Sequence, residues 1–177
     1  MAIFNRLPKW PQIAAVYAVI VLVIYSWTII WSFWKLPSWL YFLSIGEIIT
    51  IYVYSLATNL IESLLVLCLL LGLSLLLPRK WFSDAFITRS VIVTLSMLGY
   101  AAFILTQFQS REDYPGGIVR LLPVAFLASL VFAFLAGKVK FLVKAIELFA
   151  QQTTIFLYLT LPLSLISLLV VLVRWIF

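Results

Sequence analysis

The chain has 177 residues, of which 66% are hydrophobic and only 10% charged, and twelve Lys and Arg stand against six Asp and Glu. A water-soluble domain of this size needs a polar exterior, so the composition excludes an ordinary soluble fold. The sequence contains no histidine, which excludes Ser-His-Asp and Cys-His catalysis and removes the commonest metal ligand. We therefore expect an all-α integral membrane helical bundle that needs no metal and no cofactor.

Five apolar stretches are long enough to cross a hydrocarbon core about 30 Å thick, which takes about 20 helical residues. Dense Trp and Tyr before the second span, and an amphipathic pattern before the last, predict one or two interfacial helices. The whole of 1–177 is thus predicted to form a single transmembrane domain. Its predicted spans are 12–34, 54–77, 89–108, 118–136 and 153–173, and its interfacial segments are 36–50 and 138–152. The sequence also allows the second helix to begin as early as Ser44 and to run partly through the interface.

Five spans place the two termini on opposite sides of the membrane, and Lys and Arg favour the cytoplasmic side. With the N-terminus inside, the inner segments carry eight basic residues and the outer segments four. The inner set is Arg6, Lys9, Arg79, Lys80, Arg89, Lys138, Lys140 and Lys144, and the outer set is Lys35, Arg111, Arg120 and Arg174. This bias predicts a cytoplasmic N-terminus and an external C-terminus, and the compact chain favours a bacterial plasma membrane.

The second span carries a polar stripe within about 140° of the helix circumference. Its members are Glu47, Tyr54, Ser55, Thr58, Asn59 and Glu62. Because polar groups are costly against lipid, the stripe should face neighbouring helices or a wet cavity. Helical rise places Glu62 about 24 Å from Pro78, hence roughly 6 Å inside the outer edge of the hydrocarbon core.

These positions predict an intramembrane polar cluster of Glu62, Asn59, Thr58 and Arg120. We hypothesise an ion pair between Glu62 and Arg120, with Arg111 as the alternative cation. The simplest interpretation is that the stripe joins helices, since polar contacts between membrane helices contribute about 0.6–2 kcal/mol each. A proton or ion pathway and a catalytic carboxylate are the other two interpretations.

The segment 138–152 has a narrow polar face that contains Lys140, Lys144 and Glu147 within about 60° of arc. This spacing predicts a cytoplasmic amphipathic helix with its lysines toward water and anionic headgroups. It serves either as a connector that positions the last span or as a docking surface for a partner.

For function, these patterns favour an accessory, scaffold or assembly subunit that has no catalytic centre and contacts other membrane proteins. The alternative is a small oligomeric transporter or channel that uses Glu62, Asn59 and Arg120. A membrane enzyme acting on lipid would have to use carboxylates and arginine alone. The expected partners are the lipid bilayer and either other membrane proteins or a second copy of the chain, with no nucleic acid.

Overall fold

A computed structural model describes residues 8–78, 81–110 and 116–176, and all regular secondary structure in these ranges is helical. The helices are α1 (Trp10–Phe42), α2 (Ile45–Leu76), α3 (Phe86–Ser110), α4 (Gly116–Arg120), α5 (Leu122–Ala136), α6 (Lys140–Thr153) and α7 (Ile155–Ile176), with a short 3-10 turn at Ser83–Ala85. The basic residues Arg6, Arg79, Lys80 and Arg111 lie outside the described ranges. The predicted all-helical class is confirmed.

Four of these helices are long and apolar enough to cross a membrane, namely α1, α2, α3 and α7. A fifth span results if α5 and α6, whose axes differ by 107°, are counted together as one bent crossing. The prediction of five spans is therefore met as four or five helices of suitable length and composition.

The predicted interfacial segment 36–50 does not form a helix of its own, because α1 continues to Phe42 and α2 begins at Ile45. The junction is a capping box. The side chain of Ser44 accepts a hydrogen bond from the amide of Glu47, and the Glu47 carboxylate accepts one from the amide of Ser44 at 2.7 Å. Glu47, which the sequence placed in the polar stripe, therefore helps to cap the N-terminus of α2. The helix begins at Ile45 with Ser44 as its cap, which confirms the predicted early start.

The predicted span 118–136 is interrupted at Leu121, where α4 ends and α5 begins. The amide of Leu121 donates to the carbonyl of Ile118 at 3.1 Å, which is a turn rather than an α-helical bond. Pro123 follows in the first turn of α5, where a missing amide proton costs little.

Helix α1 lies at the centre of the bundle and packs against α2, α3, α6 and α7. Residues 15–21 of α1 are all buried, and so are residues 86–94 of α3. A helix that is buried on every side needs neighbours around its whole circumference. The core therefore lies where the first part of α1 meets the first part of α3, with α5 packed against α3 and α7 packed against α2.

The amphipathic segment 138–152 forms α6, within two residues of its predicted bounds. Lys140 and Lys144 are exposed and Glu147 is half-buried, while Ala150 and Thr153 on the other side are buried. Since α6 packs on both α1 and α3, it forms part of the wall of the core.

Candidate binding groove

A groove runs between α1, α2 and α3 and consists of three adjoining cavities of about 390, 450 and 830 Å³. Thr28 borders all three, and Asn59 borders the smallest and the largest. The largest cavity is lined mainly by apolar side chains of α1 and α3, and its volume lies in the range of about 300–1,000 Å³ that is usual for small-molecule sites. We name these three cavities together the binding groove.

The polar centre of the binding groove is the pair of Thr28 on α1 and Asn59 on α2. The Thr28 hydroxyl lies 3.0 Å from Oδ1 of Asn59, to which it donates, and 3.2 Å from the carbonyl oxygen of Ile24. Asn59 is only 5% exposed, and its Nδ2 has no hydrogen-bond acceptor among the described residues. A buried amide nitrogen without an acceptor is costly, so this site has unused hydrogen-bonding capacity.

The other predicted members of the polar cluster differ in their surroundings. Glu62 is exposed and borders the 830 Å³ cavity, whereas Thr58 is exposed and its hydroxyl donates to the carbonyl of Tyr54 on its own helix. Arg120 is exposed at the end of α4, which packs against α5, and it lines none of the three cavities. No ion pair joins Glu62 to Arg120 within the described ranges, so the groove contains Asn59, Thr58 and Glu62 but not Arg120.

One end of the binding groove is aromatic and carries a positive charge. Trp27, Trp31 and Trp39 line the 450 Å³ cavity together with Lys35. The same cavity is bordered by Thr28 and Ser32. Together with Lys35 these residues have the spacing that places side chains on one face of a helix. Lys35 is seven residues beyond Thr28, or about 10 Å along the axis of α1.

Sequence patterns did not identify Thr28, because one hydroxyl in an apolar span is ordinary. The available signal was its position on one face of α1 with Tyr17 and Tyr25, within about 80° of arc. Tyr17 contacts Ser63 of α2 at 3.2 Å, and Tyr25 contacts Ser164 of α7 at 2.6 Å, both through hydroxyl–hydroxyl hydrogen bonds in the buried interior. This face of α1 therefore makes polar contacts with both α2 and α7.

A second group of buried polar residues, at the start of α3, also escaped prediction. Arg89 was counted as an inner basic residue at the end of a loop, but it is 5% exposed inside the bundle. Its guanidinium carbon lies 5.5 Å from the ring centroid of Phe134, and Trp81 stacks on the same ring at 5.0 Å. Thr88, Ser90 and Thr94 beside it are also buried. The sequence feature that could have indicated this buried polar group was the run Thr88-Arg89-Ser90 within an apolar segment.

The end of α1 and the start of α2 form a helical hairpin whose surface is apolar and exposed. We name residues 33–49 the hairpin tip. Its exposed large apolar side chains are Phe33, Trp34, Leu40, Tyr41, Phe42, Ile45 and Ile49. The side chain of Tyr41, for example, belongs to a residue that is 84% exposed. Exposed apolar side chains of this kind contact lipid or a partner protein.

No group of three or more His, Cys, Asp or Glu side chains suited to a metal ion occurs in the ranges that the structure describes. Comparison with protein-family models, with curated proteins and with solved structures found no match to this chain.

Proposed function

We propose that this chain is a multi-pass membrane protein that acts by binding, as an accessory or assembly subunit in contact with another membrane protein. The length and composition of α1, α2, α3 and α7 support membrane insertion. The excess of basic residues in the segments assigned to the inner side supports a cytoplasmic N-terminus and an external C-terminus in a bacterial plasma membrane. Catalysis is not part of the proposal.

The observation that carries the proposal is the exposed apolar hairpin tip. At 1.5 Å per residue, α1 and α2 are about 50 and 48 Å long, against a hydrocarbon core of about 30 Å. Even a tilt of about 40°, the upper end of the usual range, leaves part of each helix beyond that core. The hairpin tip then holds its aromatic side chains outside the hydrocarbon, where a partner protein is the means of covering them.

Site-specific crosslinking tests the proposal. A photoreactive amino acid replaces Tyr41 at the hairpin tip in cells that produce the full chain, and irradiation should give one discrete protein adduct. The matched control replaces Leu159 on α7, which is also an exposed apolar residue, and should give lipid adducts only. Lipid adducts alone at Tyr41 would instead place the tip among headgroups and would contradict the proposal. An adduct of two copies of this chain would identify the partner as a second copy.

The binding groove favours a second candidate function, a small oligomeric transporter or channel with Glu62 and Asn59 on its path. A path needs polar lining across the whole membrane, and residues 64–77 of α2 contain no charged side chain and one serine, Ser74, which is buried. Flux through vesicles containing the purified protein tests this candidate. It requires a flux that Glu62→Gln abolishes and Glu47→Gln leaves unchanged, and an absence of flux excludes it. Arg120, remote from the groove, should have no effect on such a flux.

A further inference from the structure

We infer that the binding groove holds one anionic phospholipid, with an acyl chain in the 830 Å³ cavity, a carbonyl at Asn59 and the phosphate at Lys35. Lys35 and Trp39 lie within the hairpin tip, but this inference uses none of the exposed apolar side chains of the tip and does not require a protein partner there.

The cavity walls indicate the acyl chain. The 830 Å³ cavity lies between α1 and α3 and is lined mostly by aliphatic side chains and by Trp27. Gly99 of α3 borders it and has open space where a Cβ atom would lie, with nothing within 4 Å. An apolar cavity of this size that opens sideways from a bundle of apolar helices is filled most readily by a hydrocarbon chain from the surrounding bilayer.

The Asn59 amide indicates a hydrogen-bond acceptor on the ligand. Its Oδ1 accepts from Thr28 while Nδ2 has no acceptor in the part of the chain that the structure describes, so a carbonyl or similar oxygen of the ligand fits there. In a phospholipid the ester carbonyls lie between the acyl chains and the phosphate. Asn59 correspondingly lies between the apolar cavity and the aromatic end of the groove.

Charge determines the orientation and the sign of the headgroup. Lys35 lies about two helical turns, or 10 Å, beyond Thr28 along α1. The tryptophans that line the same cavity are side chains that prefer the headgroup zone. On α2, Glu62 lies on the other side of Asn59 and borders the apolar cavity, where its carboxylate repels an anionic group. An anionic headgroup is therefore directed to Lys35 and away from Glu62.

Native mass spectrometry of the delipidated full chain, titrated with palmitoyl-oleoyl phosphatidylglycerol and with the phosphatidylcholine of the same chains, tests the inference. We expect one saturable site that prefers phosphatidylglycerol. Lys35→Gln should weaken phosphatidylglycerol binding about fivefold, the factor that one lysine contributes near anionic headgroups, and should leave phosphatidylcholine binding unchanged. Asn59→Leu should weaken both lipids equally, because both carry the same ester carbonyls.

Gly99→Leu is the decisive variant, because its Cβ meets nothing within 4 Å and its side chain takes up cavity volume, so it should abolish saturable binding of both lipids. Gly72→Leu on α2 is its matched control, since a Cβ there also has nothing within 4 Å and Gly72 is not part of the groove. If Asn59→Leu fails to fold, Gly99→Leu and Lys35→Gln still decide the result. Annular binding only, meaning many weakly bound lipids that neither variant changes, would overturn the inference. Equal binding of the two lipids by the unmodified chain would also overturn it.

Discussion

Arg89 reaches its buried position beside α5 because Gly137 has no side chain. A Cβ atom at residue 137 would lie 2.7 Å from Nε of Arg89 and 3.3 Å from the carbonyl oxygen of Ala133. The backbone of Gly137 is in the ordinary right-handed helical region, so glycine is required here by space and not by its dihedral angles. One glycine and one arginine thus fix how closely α3 approaches the end of α5.

We predict that Gly137→Ala destabilises the fold by about 1–3 kcal/mol, as overpacking of a filled site does. The cause is displacement of a buried guanidinium, which has little room to move. Thermal unfolding in detergent measures the effect. Gly72→Ala, where the new Cβ meets nothing, serves as the control and should leave the midpoint unchanged or raise it slightly. Equal midpoints for the two variants would show that Arg89 moves at no cost.

The Tyr25–Ser164 contact gives a second prediction at the residue scale. Tyr25→Phe and Ser164→Ala should each cost about 0.6–2 kcal/mol, and the double variant should cost less than their sum because both remove the same hydrogen bond. Tyr158→Phe on α7 removes the hydroxyl of a residue that is 84% exposed and should have no effect. Strict additivity in the same unfolding assay would mean that the two hydroxyls do not interact.

At the scale of elements, α6 differs from what its amphipathic pattern alone indicates. The pattern predicts a helix with one polar face, and Lys140 and Lys144 are exposed as expected. The opposite face, however, buries Ala150 completely where α6 packs on α1 and α3. We conclude that α6 fixes the position of α1 as well as connecting α5 to α7.

We predict that Ala150→Leu destabilises the bundle by about 1–3 kcal/mol, because a larger side chain separates α6 from the core. Ala145→Leu makes the same change at an exposed position of the same helix and should be close to neutral. Chemical unfolding followed by tryptophan fluorescence compares the two. A helix that only connects its neighbours would tolerate both substitutions equally.

At the scale of the whole molecule, helix existence could be predicted more readily than helix packing. Long apolar runs and helix breakers such as Pro78 specify where helices occur. Both bounds of α3 and α7 and the C-terminal end of α2 therefore lie within a few residues of the predicted ones, and α2 begins next to Ser44. The aromatic segment 36–50 is divided between α1 and α2, since composition indicates depth in a membrane but not where a helix stops.

Only part of the candidate site could be predicted, again because helix packing is harder to predict than helix existence. A pattern on one helix defines a polar face, as it did for Asn59 and Glu62 of α2. It does not show which neighbour covers that face, so Thr28 was missed, and Arg120 lines none of the cavities that Asn59 and Glu62 border. The burial of Arg89 likewise depends on Phe134 and Gly137, almost 50 residues further along the chain.

Side-specific cysteine labelling tests the central claim most directly, because the only native cysteine, Cys68, can be replaced by serine. Single cysteines in that background at Lys9, Tyr41, Lys144 and Trp175 report on four of the six extramembrane segments of the proposed five-span topology. We predict that a membrane-impermeant maleimide labels Tyr41→Cys and Trp175→Cys in intact cells, and labels Lys9→Cys and Lys144→Cys only after permeabilisation. Labelling of Lys9→Cys and Trp175→Cys from the same side would contradict a chain that crosses the membrane five times.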